Sequence, residues 1–251
     1  MLVVLSMTVS LSLLYIRRHI YEGFLKLHLL LAIALLVLLW FHIPIHNYLP
    51  LVCLVTATTL WVVQTILWAG TMLYRNPLSR NKSIGQLDFL EDQSRVAAVK
   101  LVIKPSRRWY VSPGQYVYIT VPGLFTNMPG RLQAHPFMIA WSEKDPGMRD
   151  SQIVLFISCR NGFSAALPHC EGPFPVILDG PYGGTPSLDQ YDKILFLAGG
   201  IGIVTHLLHI RQLLRAHDNK CARVRRLTLV WLLDSQGIIV RPNPGFVIDT
   251  S

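Results

Sequence analysis

The stretch KILFLAGGIG, residues 193–202, decides the fold of the second half of this sequence. Its first six residues, 193–198, form a continuous apolar run with the length of one buried strand. An apolar-periodic helix is predicted from about residue 203 to 216, and a second buried strand at 226–233 (RLTLVWLL). Between the first strand and the helix lie three glycines, Gly199, Gly200 and Gly202. Strand, glycine turn, helix and strand predict the start of a parallel nucleotide-binding sheet.

Glycine is favoured at these three positions for a physical reason. Glycine lets the backbone come close to a pyrophosphate, and the N-terminus of the following helix supplies free N–H groups and a favourable dipole. A tight turn without any ligand is the alternative interpretation. The glycine-rich stretch follows an apolar strand and precedes a helix, and this position favours the nucleotide-binding interpretation.

Upstream, from about residue 84 to 179, short β-like runs alternate with Pro/Gly turns. This spacing predicts an antiparallel β-barrel. The predicted strands include 96–103, 115–121, 137–141 and 153–159.

Two stretches within this part are suited to a flavin. RLQAHPFMIAW (131–141) places a positive residue and a polar ring just ahead of a strand. RNGFSAAL (160–167) is a turn with Gly162 and Ser164, followed by a helix-like start. Such a turn can bring N–H groups and an arginine to a diphosphate. Taken singly, each stretch is more often an ordinary turn.

The first third of the chain holds three long apolar runs, at residues 2–16, 27–45 and 49–70. The last two approach the roughly 20 residues that a helix needs to cross a bilayer, and we interpret all three as spans. Positive charges flank the runs, and the link around residues 46–48 has none, which predicts an outside N-terminus and a cytosolic soluble part. The flanking charges are Arg17, Arg18, Lys26, Arg75, Arg80 and Lys82.

Composition agrees with a membrane part followed by a mixed-polarity part. The 251 residues are 51% hydrophobic and carry a net charge of +9. No Lys/Arg run or basic patch interleaved with aromatics occurs, so we expect no nucleic-acid partner. The four cysteines form no CxxC pair, which argues against a disulfide framework or a zinc site.

Two histidines, His28 and His42, lie near the two ends of the second apolar run, 14 positions apart. On a helix this separation is about 21 Å along the axis and returns to within about 40° of the same face. Ionisable groups at membrane depth are costly and tend to be functional, and imidazole is a common axial ligand of haem iron. The alternative is a pair of interfacial histidines, one at each membrane boundary.

The order of these motifs resembles that of the fungal-type ferric-chelate reductases, within the wider ferric reductase and NADPH oxidase superfamily. The resemblance covers roughly residues 14–233. The stretches that carry it are RRHIYEGFLKLHLLLAIALLVLLWFH (17–42), PGQYVYITV (113–121), HPFMI (135–139), GFSAAL (162–167), LDGPYGG (178–184) and LAGGIGI (197–203). The first is similar to that family's second haem-binding helix.

This resemblance implies a fold of membrane helices followed by an antiparallel β-barrel FAD domain and a partial α/β nucleotide-binding domain, as in ferredoxin reductases. The expected domains are residues 1–75 for three haem-binding spans, 83–184 for the FAD-binding barrel and 190–251 for the NAD(P)H part. The implied activity is electron transfer from NADPH through FAD and haem b to ferric or cupric chelates outside the cell, in iron uptake. The plasma membrane is the expected location.

The resemblance also implies the residues of each site. FAD would lie at His135, Pro136 and Phe137, with its phosphates near Arg160, Gly162 and Ser164. NADPH would bind near Gly199, Gly200 and Gly202. His28 would be an inner-haem ligand and His42 an outer-haem ligand. No residue is expected to act as a catalytic group itself, because the cofactors carry the redox chemistry.

Several features depart from the family pattern. Only one helix carries a histidine pair where the family uses two, so we expect a fragment and a second chain that supplies the missing haem ligands. Met138 replaces a hydroxyl residue, and Asp234 disfavours a 2′-phosphate, which leaves NADPH and NADH both open. The alternatives are a superoxide-generating NADPH oxidase, an inactive truncated membrane relative, and a soluble flavoreductase with a membrane anchor.

Overall fold

The computed structural model describes Ser6 and residues 21–43, 48–77, 82–92, 95–124, 134–144, 151–159, 162–170 and 172–232. The chain divides into two compact units, Met1–Ala69 and Gly70–Ser251. The first predicted span, apart from Ser6, lies outside the described residues.

Two long helices precede the strands in the chain, α1 (Tyr21–His42) and α2 (Tyr48–Arg75). Among the described residues, α2 alone is long and apolar enough to cross a membrane, and α1 contributes a shorter apolar stretch, Leu27–His42. Only 6% of the most apolar window of α2 is buried inside the protein, unlike the core helix of a soluble domain. Thr56, Thr58 and Thr65 of α2 donate to backbone carbonyls three or four residues earlier, which satisfies their hydroxyls within the helix.

Eight strands, which we call the β domain, form two antiparallel sheets. The five-stranded sheet has the order β5-β6-β2-β1-β7 and the three-stranded sheet the order β4-β3-β8. The strands are β1 (Ile84–Asp92), β2 (Arg95–Lys104), β3 (Gln115–Thr120), β4 (His135–Met138), β5 (Trp141–Lys144), β6 (Ser151–Ser158), β7 (Phe174–Pro175) and β8 (Ile177–Gly183). Apolar side chains from both sheets alternate inward to one shared core, which includes Leu101, Ile119 and Leu155.

The predicted strand at 137–141 is wrong as a single element, because the chain changes sheets within it. The backbone N–H of Ile139 donates to Gln115 O in β3, whereas the N–H of Ala140 donates to Val154 O in β6. Both residues are buried. The segment therefore forms β4 in one sheet and β5 in the other, with a corner between them.

The predicted strand–turn–helix–strand unit is confirmed. β9 (Lys193–Gly199) leads through a 3₁₀ turn, Gly200–Ile203, to α4 (Val204–Asp218) and then to β10 (Arg226–Leu232). β10 pairs with β9 in parallel. A short helix, α3 (Phe163–Ala166), precedes this unit in the chain. The predicted fold class, a membrane α-helical segment followed by an antiparallel β-barrel and a partial α/β domain, is confirmed in an apolar helix, two antiparallel sheets around one core and an α/β unit.

Candidate functional site

The predicted flavin segment, His135–Met138, forms β4, and its alternating residues point to two opposite faces of the strand. His135 and Phe137 share one face, where the His135 ring stacks on Phe163 with centroids 4.3 Å apart. Phe137 lies 6.0 Å from the same Phe163 ring. Pro136 is exposed, and it occupies the other face with Met138. The structure thus brings His135 and Phe137 to the start of α3.

Three tyrosines lie on the second face, a feature that the sequence analysis missed. Tyr116 is opposite both Met138 and Tyr182 in the register of β3 with its neighbours. The rings of Tyr116, Tyr118 and Tyr182 lie 5.7 to 5.9 Å apart in pairs. The Tyr182 hydroxyl also donates to Asp179 Oδ1 at 2.6 Å. The alternation Tyr-Val-Tyr in β3 was the available signal, since alternate residues of a strand share a face.

The turn before α3 has room for a ligand. Gly162 has φ = +62°, in the left-handed region, and no atom lies within 4 Å of where a Cβ would stand. Glycine adopts this conformation without steric cost. Ser164 follows within α3, next to the buried Phe163. Arg160, the predicted phosphate ligand, lies outside the described residues.

In the glycine-rich turn, two glycines leave space beside the backbone, and two carbonyl oxygens accept hydrogen bonds from side chains. The space at the Cβ positions of Gly199 and Gly202 is empty within 4 Å. The Trp231 indole N–H of β10 donates to Gly200 O at 2.9 Å, and Thr205 Oγ1 donates to Gly202 O at 2.9 Å. Side chains of the protein thus engage two carbonyl oxygens of the turn, while two of its glycines leave the backbone open to approach.

Two histidines of α4, His206 and His209, follow this turn in the chain and contact neighbouring elements. His206 Nε2 hydrogen-bonds with Leu197 O at 3.0 Å, and its ring lies 4.9 Å from that of Phe196. His209 is buried, and its Nε2 is 3.1 Å from Thr185 Oγ1. Burial, and secondarily the charge of nearby His206, lowers the pKa of His209. Both causes disfavour the protonated form of the His209 ring.

The two predicted haem ligands lie on the same continuous helix, α1. His28 is half-buried, and His42 is exposed at the last residue of the helix. α2 contains no histidine. In the part of the chain that the structure describes, no group of three or more His, Cys, Asp or Glu side chains is arranged to hold a metal ion. α1 thus offers one imidazole about two turns after its first residue and one at its last residue.

Comparison with known protein families identifies an FAD-binding domain at residues 92–186. This range contains β4, the Gly162 turn and the strand that bears Tyr182. The prediction that this chain carries an FAD-binding domain is confirmed.

Curated relatives from fungi align with most of the chain. Ferric reductase transmembrane component 6 of Saccharomyces cerevisiae is 30% identical over 86% of this chain and 29% of its own length. A probable cell surface ferric reductase of Aspergillus oryzae is 28% identical over 89% of this chain and 30% of its own length. Component 4 of the yeast proteins is 25% identical over 83% of this chain and 27% of its own length. The predicted resemblance is confirmed, and the chain spans less than a third of these relatives.

Solved structures give a weaker likeness. Ferredoxin-NADP⁺ reductase from Plasmodium falciparum matches with a TM-score of 0.44 and 14% identity, over 66% of this chain and 65% of its own. The ferredoxin reductase of carbazole 1,9a-dioxygenase matches with a TM-score of 0.46 and 18% identity, over 61% of this chain and 42% of its own.

Proposed function

We propose that this chain, a relative of the fungal ferric reductases with an FAD-binding domain, passes electrons across a membrane. The donor is NADPH, the carriers are FAD and haem b, and the acceptors are ferric or cupric chelates outside the cell. Residues 1–75 form the membrane part, residues 83–184 the FAD-binding part and residues 190–251 the nucleotide-binding part. The protein is multi-pass and resides in the plasma membrane, in contact with lipid.

The observation that carries the proposal is the packing of one helix. α4 begins directly after the glycine-rich turn and buries Leu208 in the core of the β domain. The β domain bears the flavin segment. Hydride transfer requires its two partners in van der Waals range, so a nucleotide turn and a flavin segment must be held by one packed body.

The residues present fit a flavin diphosphate. The open backbone at Gly162 allows a phosphate to approach. Any residue with a side chain would be strained at its φ of +62°. Ser164 adds a hydroxyl, and Arg160 adds a positive charge. His135, Pro136 and Phe137 lie in β4, and the flavin ring system would be held against this strand. When bound, FAD supplies the conversion between two-electron and one-electron transfer.

The nucleotide is held at Gly199, Gly200 and Gly202. Trp231 fixes the carbonyl of Gly200, so the turn keeps one conformation before the nucleotide arrives. A preorganised turn loses less entropy on binding.

His28 and His42 of α1 would each hold one of two haems through an imidazole nitrogen. His28 and His42 donate imidazole nitrogens from a single helix, and α2 has no histidine to add. Haem b, when bound, supplies one-electron carriage. The remaining haem ligands would come from outside the described helices, and a second chain is the source that we propose.

The test is an absorption spectrum of the detergent-purified chain, oxidised and then reduced with dithionite. We expect flavin bands, a Soret band and sharp α/β bands. His28→Ala and His42→Ala should each weaken the haem bands, because each removes a ligand of one of the two haems, and the double variant should remove these bands; the flavin bands should remain in all three. His169→Ala is the matched control, because His169 is exposed and lies outside α1.

Turnover is then measured with NADPH and a ferric chelate, with and without O₂. Chelate reduction that continues at the same rate in air supports the metal reductase, whereas superoxide production at the expense of iron reduction would favour an oxidase. A chain with neither flavin nor haem bands would refute the proposal.

A further inference from the structure

Helix α4 has two packed faces, and each contacts a different core. Leu208 belongs to the core of the β domain. Ile210 and Leu213 belong to a second core, with Phe196 of β9. The helix that opens at the glycine-rich turn is therefore the element shared by the nucleotide part and the β domain.

Arg211 fastens the face of α4 that contacts the β domain. It lies three positions after Leu208, which places the two side chains on neighbouring positions of one helix face. Its Nη1 donates to Ser142 O at 2.6 Å, and its guanidinium carbon stands 3.9 Å from the centre of the Trp141 ring. A guanidinium is suited to this double contact, because it stacks with its plane and donates with its edge.

The position of this contact gives it a functional meaning. Trp141 and Ser142 open β5, and only Ile139 and Ala140 separate them from the flavin segment in β4. Since those two residues are buried at the corner between the sheets, a shift at β5 is transmitted to β4. Arg211 thus links α4, the helix that follows the glycine-rich turn, to β5, the strand that follows β4.

A second connection runs from α4 to the turn before β3, the strand that pairs with β4. Thr185 Oγ1 donates to Pro113 O at 3.3 Å. With its proton directed to Pro113 O, the same hydroxyl can accept from His209 Nε2, 3.1 Å away, in the tautomer that carries a proton on that nitrogen. A Cβ at Gly114 would lie 2.7 Å from the Thr185 methyl, which shows how closely the turn before β3 packs here.

From these contacts we infer that Arg211, on the same helix as the His209–Thr185 contact, is a positioning residue that sets the geometry between bound nucleotide and flavin. This role rests on the function proposed above and deepens it. Arg211 touches neither cofactor in this role; it acts through Trp141 and Ser142. Loss of Arg211 should slow reduction of the flavin by the nucleotide without releasing the flavin.

The experiment compares the full chain with its Arg211→Ala, Arg211→Lys and Arg215→Ala variants. Arg215 is the matched control, an exposed arginine one turn later on the same helix. Flavin content is measured first, and then the stopped-flow rate of flavin reduction at saturating NADPH and, separately, NADH. Because a displacement of about 1 Å can cost a hundredfold in rate, we expect a ten- to hundredfold loss in Arg211→Ala. Arg211→Lys should recover part of it, and Arg215→Ala should match the parent chain.

A double-mutant cycle with Trp141→Leu separates positioning from general destabilisation. If Arg211 acts through the Trp141 ring, the rate losses of the two single variants should not multiply in the double variant. Reduction by dithionite should be equally fast in all variants. Equal rates in Arg211→Ala and Arg215→Ala would overturn the role, and so would fully multiplicative losses. If Arg211→Ala does not fold, the lysine variant decides in the same way.

Amide hydrogen exchange gives a readout that needs no nucleotide. Arg211→Ala should increase exchange in 113–118 and 139–144 together, whereas Arg215→Ala should not. If neither nucleotide reduces the flavin of the parent chain, the proposed function fails. The exchange experiment still tests the contact itself, because unchanged exchange in both segments would show that Arg211 does not hold these strands and would overturn the positioning role.

Discussion

Asn76, which directly follows α2, is predicted to be a main determinant of stability. Its Nδ2 donates to Leu178 O at 2.8 Å, and Leu178 N donates to its Oδ1 at 2.9 Å. A side-chain amide carries the same donor and acceptor as a peptide group. Since β8 is at the edge of its sheet, Asn76 pairs with that edge as one residue of an added strand would.

The cost of Asn76→Ala follows from these two bonds. Each contributes about 1 kcal/mol net, and a partly buried backbone group left without a partner adds about 1 kcal/mol or more. Asn76 is half-buried, so water reaches part of the site. We expect a loss of about 2–4 kcal/mol, which for a unit of this size lowers Tm by roughly 4–16 °C.

The assay is thermal release of FAD from the detergent-purified chain, followed by flavin fluorescence. Asn219→Ala is the matched control, because Asn219 is exposed at the end of α4. Asn76→Asp should be as damaging as alanine, because it places a carboxylate oxygen opposite the carbonyls of Leu178 and Met72. If Asn76→Ala releases FAD at the same temperature as Asn219→Ala, the pairing contributes nothing and the reasoning is refuted.

Three further predictions concern the same unit. Trp231→Phe removes the indole donor to Gly200 O, worth about 1 kcal/mol, and should weaken NADPH binding about fivefold in a titration of flavin reduction; an unchanged affinity would contradict it. The lowered pKa of His209 means that the unfolded chain binds more protons than the folded one as pH falls below about 6.5. Stability should therefore fall from pH 7 towards pH 5, and a melting series should show a flatter profile for His209→Gln. Leu155→Ala, at a fully buried site, should cost about 2–5 kcal/mol, whereas Leu195→Ala, 59% exposed, should change stability by less than about 0.5 kcal/mol in the same melts.

The sequence predicted the elements around the candidate site more closely than their connections. β9, the glycine turn, α4 and β10 all occur within a few residues of their predicted bounds, because apolar periodicity and glycine placement are local signals. The split between β4 and β5 was not predictable from the run 137–141. Its residues suit a strand throughout, and only the bonds to Gln115 and Val154 place its two halves in different sheets.

The site residues show the same division. The sequence identified His135, Phe137 and Gly162 as candidates from their motifs, but the 4.3 Å stack of His135 on Phe163 depends on the packing of α3 against β4. The tyrosine group was missed because Tyr182 comes from a strand more than 60 residues beyond Tyr116, paired through the register of β3 and β8.

By itself, the sequence determined the order and type of the elements: apolar helices with a histidine pair, strands punctuated by glycine and proline, and a glycine turn between a strand and a helix. These follow from the conformational preferences of neighbouring residues. Only the tertiary structure decided that Asn76 pairs with Leu178, 102 positions away, and Arg211 with Ser142, 69 positions away. Such pairs depend on how whole elements pack, and a side chain carries no local signal of the backbone group it will meet.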